Sequence, residues 1–331
     1  MKAIVPVAGK GTRLRPLTHT TPKPLLRVAG QPILAYILDD LRALGVAEVI
    51  FVTGHLKERV EEYVRAAYPD VAARFIEQPV QNGTAGAVHL AAPYVQEDVL
   101  IVFADTIFEA DLGEARRQPP EVAGVIWVQE VEDYQRFGVV VLDRTGAIER
   151  IVEKPREPIS RLANIGLYYV RDWALLFEGI EAVLRGAPGP GGEFYLTDAF
   201  QYMIDRGARL VTARATGWYD AGKPEALLET NAHLLARGRA RPPARGEGVI
   251  VHAPVYVDDG VVLEAAEIGP NVSLARGSVV RRARLRNAIV GERTEVVDSE
   301  LEGALLGDDV RVRGLRGRAY LGDHCEVDVP A

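Results

Sequence analysis

Residues 6–32 read PVAGKGTRLRPLTHTTPKPLLRVAGQP. Gly9 and Gly11 let the backbone approach a ligand closely and offer amide N–H groups to anionic oxygens. Arg13, Arg15 and Lys23 add fixed positive charge, and the combination suits a polyphosphate. The spacing departs from the P-loop, because Gly9-Lys10 is followed by Gly11 instead of Ser or Thr. It departs equally from the dinucleotide fingerprint, where Leu14 stands in place of the third glycine. An Arg or Lys is usually a solvated surface charge. Here Arg13 and Lys23 are held in a Gly/Pro-constrained loop at a strand end, and they are expected to hold phosphates, with Arg15 at the rim. Two carboxylates complete the set. Asp105 follows the apolar run VLIVFA, where an unpaired carboxylate is costly to bury. Asp220 lies in the turn TGWYDAGKP, where its residue type alone reads as a helix cap.

The elements that must position these groups are legible in the hydrophobic pattern. Ala3–Ala8 predicts a first strand, Val49–Val52 a second, Arg74–Glu77 a short one, and Val99–Ala104 a strand covered on both faces. Gln31–Leu44 has the spacing of one helical face, with Pro32 suited to the first helical position and Gly45 to the position after the last. Leu56–Ala67 and Thr84–Val95 predict two more helices. This alternation predicts an α/β architecture, a Rossmann-like, mostly parallel sheet with helices on both faces. Functional residues in such sheets gather at the carboxyl ends of strands, where Gly9 and Asp105 stand.

Residues 238–248, part of the Pro/Gly/Arg-rich RGRARPPARGEG, read as a linker. Beyond it, helical spacing disappears and short units recur: Ile289-Val290-Gly291-Glu292, Leu305-Leu306-Gly307-Asp308 and Tyr320-Leu321-Gly322-Asp323. Their glycines lie 16 and 15 residues apart. Such repeats predict a parallel β-helix, with a small β-sandwich as the bland alternative. The organisation expected is therefore 1–237 as a catalytic domain, 238–248 as linker and 249–331 as β-helix.

The 331 residues favour two domains, and a 48% hydrophobic content excludes a disordered chain. A net charge of −7 speaks against a broad nucleic-acid surface. The single Cys325 excludes a disulfide within one chain and a cysteine-ligated metal site. None of the six histidines forms a ligand-spaced pair. No apolar run approaches the ~20 residues that span a bilayer. The apolar start of the chain stops at Gly9-Lys10-Gly11 and reads as a strand, so a cytoplasmic protein is expected, with no membrane partner.

The string Gly9-x-Gly11-Thr12-Arg13, Pro16, Thr18, Pro22-Lys23-Pro24-Leu25-Leu26, Gly30 and Pro32 closely resembles the signature of the sugar-1-phosphate nucleotidyltransferases, also called nucleoside-diphosphate-sugar pyrophosphorylases. The likeness continues in order through about residue 237. It takes in Glu77-Gln78-Pro79 with Asn82-Gly83-Thr84-Ala85-Gly86-Ala87, and Phe103-Ala104-Asp105, where Gly is usual before the aspartate. Arg136-Phe137-Gly138-Val139, Glu153-Lys154-Pro155 and Asn164-Ile165-Gly166-Leu167-Tyr168 follow. Gly192-Glu193 with Leu196-Thr197-Asp198, and Trp218-Tyr219-Asp220-Ala221-Gly222, close the series. The tail resembles the left-handed β-helix of long members, and the glucose-1-phosphate thymidylyl- and uridylyltransferases are the nearest in pattern.

The resemblance implies that an NTP and a sugar 1-phosphate give an NDP-sugar and pyrophosphate. It assigns Ala8, Gly9, Gly11, Thr12, Arg13, Lys23, Gln78, Gly83 and Thr84 to the nucleotide, with Arg13 and Lys23 as catalytic cations. Gly138, Glu153, Lys154, Asn164 and Glu193 fall to the sugar phosphate, and Asp105 and Asp220 to Mg²⁺. Gln78 offers a donor and an acceptor that match uracil or thymine and also fit a purine edge. Two other readings stand beside this one. The first is a regulatory or scaffold subunit of the same fold. The second is a bifunctional enzyme with an acetyltransferase tail using His252 or His324. A homo-oligomer is expected, with the tail setting assembly and not chemistry, so that a chain ending near Ala240 keeps nucleotidyl transfer.

Overall fold

The computed structural model describes residues 1–243 and 248–330. They pack as two compact units, Met1–Gly9 with Ile37–Trp218, and Lys10–Tyr36 with Tyr219–Ala331. The division follows contacts instead of chain order, so most of the glycine loop belongs with the tail.

Among the described residues the main sheet of the first unit has nine strands: β1 (Lys2–Pro6), β2 (Glu48–Thr53), β3 (Ala73–Glu77), β4 (Val99–Val102), β5 (Val122–Glu130), β6 (Gly138–Leu142), β7 (Ile148–Glu153), β8 (Leu162–Val170) and β9 (Arg209–Arg214). Their order is β7-β6-β8-β4-β1-β2-β3, with β5 on β8 and β9 on β5. Strands β3, β2, β1 and β4 are parallel, the Rossmann-like part. Beyond them β8 runs antiparallel to β4, and β6 and β7 form an antiparallel pair, which makes the sheet mixed. A short connection permits that pair. Asp143 sets it by accepting hydrogen bonds from Thr145 N at 2.7 Å and Ala147 N at 3.0 Å.

Helices α1 (Ile33–Leu44), α2 (Lys57–Ala67), α3 (Thr84–His89), α4 (Trp173–Arg185) and α5 (Leu196–Asp205) accompany these strands. Ile4, Val52 and Ile101 share one core with Val88 of α3, Leu176 and Ile180 of α4, and Phe200 and Met203 of α5. Ala3 and Val5 flank Ile4 and are as fully buried as it is. Strand alternation sends them to the opposite face, so both faces of the sheet are covered.

Two helical expectations change at their ends. Pro32 is not the first residue of α1, because Gln31–Pro32 pairs antiparallel with Arg27–Val28. Ala29 (φ 46°) and Gly30 (φ 86°) turn that hairpin tightly, and the helix starts after it. The helix expected over Thr84–Val95 stops at His89, and a 3₁₀ turn, Ala92–Tyr94, follows. Pro93 has no N–H to donate to His89 O, so the α-helical ladder cannot run on through it.

In the second unit, helix α6 (Pro224–Leu234) and the loop pack with a left-handed parallel β-helix. Its three sheets have five parallel strands each. Ile268, Leu285 and Leu301 stack rung upon rung, as do Val280, Val296 and Val312, and Leu274, Val290 and Leu306. These columns form the narrow apolar core, and the sandwich alternative does not hold. Of the expected linker 238–248, residues 244–247 lie outside the described residues. Its earlier part is tied to the first coil: Arg241 N donates to Val255 O and Val257 N to Arg241 O, both at 2.8 Å.

Candidate functional site

The residues singled out in the sequence fall into four groups. In the second unit, Gly11 (φ 60°) starts the loop in the left-handed region. Thr18 Oγ1 donates to Gly11 O at 2.8 Å. A Cβ on Gly11 would stand 3.0 Å from Thr18 Cγ2 and 3.2 Å from Lys23 Cβ. The glycine therefore closes the loop upon itself and draws Lys23 to its start. Lys23 is half-buried, while Thr12 and Arg13 are exposed. Ala8 and Gly9 belong to the first unit, where Gln81 Nε2 donates to Ala8 O at 2.6 Å.

Asp220 is not the cap of α6; that position is Lys223. Instead Asp220 Oδ1 accepts from Gly222 N at 2.7 Å. A Cβ on Gly222 would meet Asp220 Oδ1 at 2.8 Å and Arg13 Nη2 at 3.0 Å. The absence of a side chain there brings the Arg13 guanidinium and the Asp220 carboxylate to one spot.

In the first unit, the segment after β3 forms a clasp. Gln78 is buried, and its Nε2 donates to Asn82 Oδ1 at 3.4 Å. Gly83 has a φ of 112°, and a Cβ there would meet Phe194 O at 2.4 Å. Phe194 N donates to Asn82 O at 2.8 Å, Ala85 N to Phe194 O at 3.0 Å, and Leu196 N to Thr84 Oγ1 at 2.8 Å. Thr84 thus fixes the start of α5 as well as lining the loop. Asp105 follows β4 and is exposed, so the desolvation argument made from the sequence does not apply to it.

The fourth group is the most enclosed. Asn164 Nδ2 donates to Gly138 O at 2.8 Å, and the Tyr168 hydroxyl donates to Asn164 Oδ1. Thr197 Oγ1 donates to Glu153 Oε2 at 3.2 Å. A Cβ on Gly138 would lie 2.3 Å from Asn164 Nδ2 and 2.8 Å from Glu153 Oε2, so glycine is the residue that fits. Burial pushes the Glu153 carboxyl above its ordinary value, with Lys154 and Thr197 pulling the other way. Burial works to lower the Lys154 ammonium, but the Tyr195 hydroxyl and the Glu153 charge outweigh it, and the net shift is upward. Lys154 Nζ is 3.1 Å from Tyr195 Oη and 4.6 Å from the centre of that ring. Tyr195 in turn donates to Pro190 O at 2.6 Å. Glu193 is exposed, and its charge reaches Lys154.

Tyr168, Tyr195 and Thr197 were not singled out from the sequence. Tyr168 and Thr197 stand inside recurring motifs, and Tyr195 follows Glu193 by two residues; no spacing marked them as partners of Asn164, Glu153 and Lys154. His252 and His324 are exposed on the coils, 3.0 Å from Glu267 Oε1 and 3.9 Å from Asp309 Oδ2 respectively. Among the described residues no helix is long and apolar enough to cross a membrane.

Residues 2–237 match the family described as nucleotidyl transferase. The bifunctional protein GlmU of Methanocaldococcus jannaschii is 35% identical over 79% of this chain and 61% of its own length. The chain thus spans less than two thirds of that relative. A glucose-1-phosphate thymidylyltransferase of Streptomyces antibioticus is 30% identical over 99% of both chains. Among solved structures, a UDP-glucose pyrophosphorylase complexed with UDP-glucose shares the fold, with a TM-score of 0.63 and 23% identity over 71% of this chain and 98% of that one.

Proposed function

The chain belongs to the nucleotidyl transferase family, and from that premise we propose that it joins an NTP, dTTP or UTP, to glucose 1-phosphate, giving an NDP-sugar and pyrophosphate. The observation that carries this reading is the likeness, end to end, to a glucose-1-phosphate thymidylyltransferase. The catalytic stretch is 1–237, followed by the linker 238–248 and the β-helix 249–331.

A phosphate oxygen of the sugar 1-phosphate attacks the α-phosphorus in line with the departing pyrophosphate, so no enzyme nucleophile is required. The obstacle is the meeting of two polyanions. Arg13 and Lys23 offset the charge of the NTP phosphates, and the amides of Gly9 and Gly11 line them with Ala8 and Thr12. Gln78, Gly83 and Thr84 take the base. Lys154 binds the phosphate of the sugar substrate, its ammonium kept charged by Glu153 and Tyr195. Glu153 accepts from sugar hydroxyls, and Gly138, Asn164 and Glu193 line the sugar. Asp105 and Asp220 offer the hard carboxylate oxygens that suit magnesium, which takes one or two carboxylates and fills its shell with phosphates and water. Bound there, Mg²⁺ would neutralise charge on the phosphoryl oxygens.

The scaffold reading is not adopted, because Arg13, Lys23, Asp105, Lys154 and Asp220 are all present. A homo-oligomer in the cytoplasm completes the proposal. The test is a panel of four NTPs against several sugar 1-phosphates with Mg²⁺, scored by pyrophosphate release. Release with dTTP or UTP and glucose 1-phosphate, abolished by EDTA, is expected. Silence across the panel would return the chain to a non-catalytic role.

A further inference from the structure

The recurring Gly–acid pairs of the tail do more than mark the coils. Two of the acids, Asp308 and Asp323, reach back one coil. Asp308 Oδ1 accepts from Glu292 N at 2.8 Å, and Asp323 Oδ1 accepts from Asp308 N at 2.9 Å. The glycines make room for this ladder: a Cβ on Gly291 would meet Asp308 Oδ1 at 2.6 Å, and one on Gly307 would meet Asp323 Oδ1 at 2.3 Å. At Asp323 the ladder also meets the glycine loop. Asp323 Oδ2 accepts from Thr20 Oγ1 at 2.7 Å and from Thr21 Oγ1 at 2.8 Å. A Cβ on Gly322 would stand 2.8 Å from Pro16 O, so the coil and the loop backbone are in contact. At the other end of the ladder, the Glu292 carboxylate pairs with Arg27. Thr20 and Thr21 precede Lys23 and Arg27 follows it, so the acidic ladder grips the loop on both sides of that lysine.

We propose that Asp323 is a positioning residue for nucleotide binding: the C-terminal coil holds the loop in the shape that presents Lys23. The proposal rests on the reading that Lys23 holds the NTP phosphates. Its physical basis is the entropy of a Gly/Pro-rich loop, which must otherwise be ordered each time a nucleotide binds. A charged acceptor satisfying two hydroxyls fixes the loop beforehand. Since Lys154 lies in the other unit, the sugar phosphate should not sense the loss.

The experiment compares the full-length protein with Asp323→Ala and with the loop-side variant Thr20→Ala/Thr21→Ala, which leaves the coil intact. Michaelis constants are measured for the NTP and for the sugar 1-phosphate, with circular dichroism to verify the fold. Asp309→Asn, a half-buried coil residue paired with Arg293, is the control for changes to the tail in general. The expected result is a KM for the NTP raised by about tenfold in both test variants. The KM for the sugar 1-phosphate should stay unaltered, and the control should behave as wild type. If Asp323→Ala does not fold, the loop-side variant decides alone. An unchanged KM for the NTP, or equal rises for both substrates, overturns the proposal. Lys23→Ala separates this failure from that of the underlying reading. If Lys23→Ala raises the KM for the NTP and the test variants do not, only the positioning role falls. If Lys23→Ala has no effect either, the phosphate assignment falls with it.

Discussion

Glu153 carries a carboxyl whose ionisation burial opposes, and this sets a sign for stability. An acid raised by folding binds its proton more tightly in the folded state than in the unfolded one. Its charge therefore costs stability at pH above the raised value, and the cost is lifted as pH falls from there toward the ordinary 4.5. Glu153→Gln removes that cost, so thermal melts at pH 8 should show a Tm no lower than wild type, with the difference shrinking as the pH approaches 4.5. The same change should raise the KM for the sugar phosphate by roughly tenfold, through loss of a charged acceptor. A lower Tm at pH 8 would show that the Lys154 charge and the Thr197 hydrogen bond together outweigh the burial. Lys154→Ala should raise the KM of the sugar phosphate more than that of the NTP, and Lys23→Ala the reverse, read from paired substrate titrations. Asp105→Asn and Asp220→Asn should each lower kcat by on the order of 10² or more while circular dichroism stays unchanged. Asp220→Asn tests a residue whose unaided reading was a cap, a part that Lys223 plays instead.

Among the elements, glycines set tolerances that side-chain chemistry then exploits. Gly138 opens β6 where Asn164 of β8, Glu153 of β7 and Thr197 of α5 converge. Gly138→Ala should cost roughly 1–3 kcal/mol in chemical denaturation, because these polar groups cannot retreat without breaking hydrogen bonds. The sugar-phosphate KM should rise with it. A variant as stable as wild type would mean that the convergence is looser than the distances indicate. The period of each element was readable from apolar spacing, as in α1 and β4. Their ends were not. The start of α1 depends on a hairpin closed by Ala29 and Gly30, and the end of α3 on Pro93, local conflicts that periodicity does not register.

At the scale of the whole molecule, the tail and the glycine loop pack as one unit. The sequence reading makes the tail an assembly device, since every assigned site residue precedes position 221. The contacts of Asp323 with Thr20 and Thr21, and of Gly322 with Pro16, argue for a further task. Ala29 N also donates to Asn231 Oδ1 at 2.8 Å, and Ser273 of the β-helix donates to the same oxygen at 2.6 Å. A chain ending near Ala240 should therefore fall to about a tenth or less of the full-length kcat/KM for the NTP, and melt at a lower temperature. Steady-state kinetics and a thermal melt check both. Full activity in the shortened chain would restore the expectation that the tail serves assembly alone.

The motifs of the sequence carry the family resemblance and the assignments it implies; beyond that, the sequence by itself determined the alternation of strand and helix and the repeating coils. These are properties of spacing and composition, which local backbone preference and amphipathic period express without distant partners. Tertiary structure alone decided which groups meet. Thr197 on Glu153, Tyr195 on Lys154 and Asp323 on Thr20 and Thr21 join residues from distant parts of the chain, in the last case some three hundred positions apart, while Tyr168 on Asn164 joins two residues within β8. Burial, the upward shift of the Glu153 carboxyl and the grip on the loop all arise from those meetings, because desolvation and hydrogen bonding depend on what surrounds a side chain and not on what precedes it in the chain.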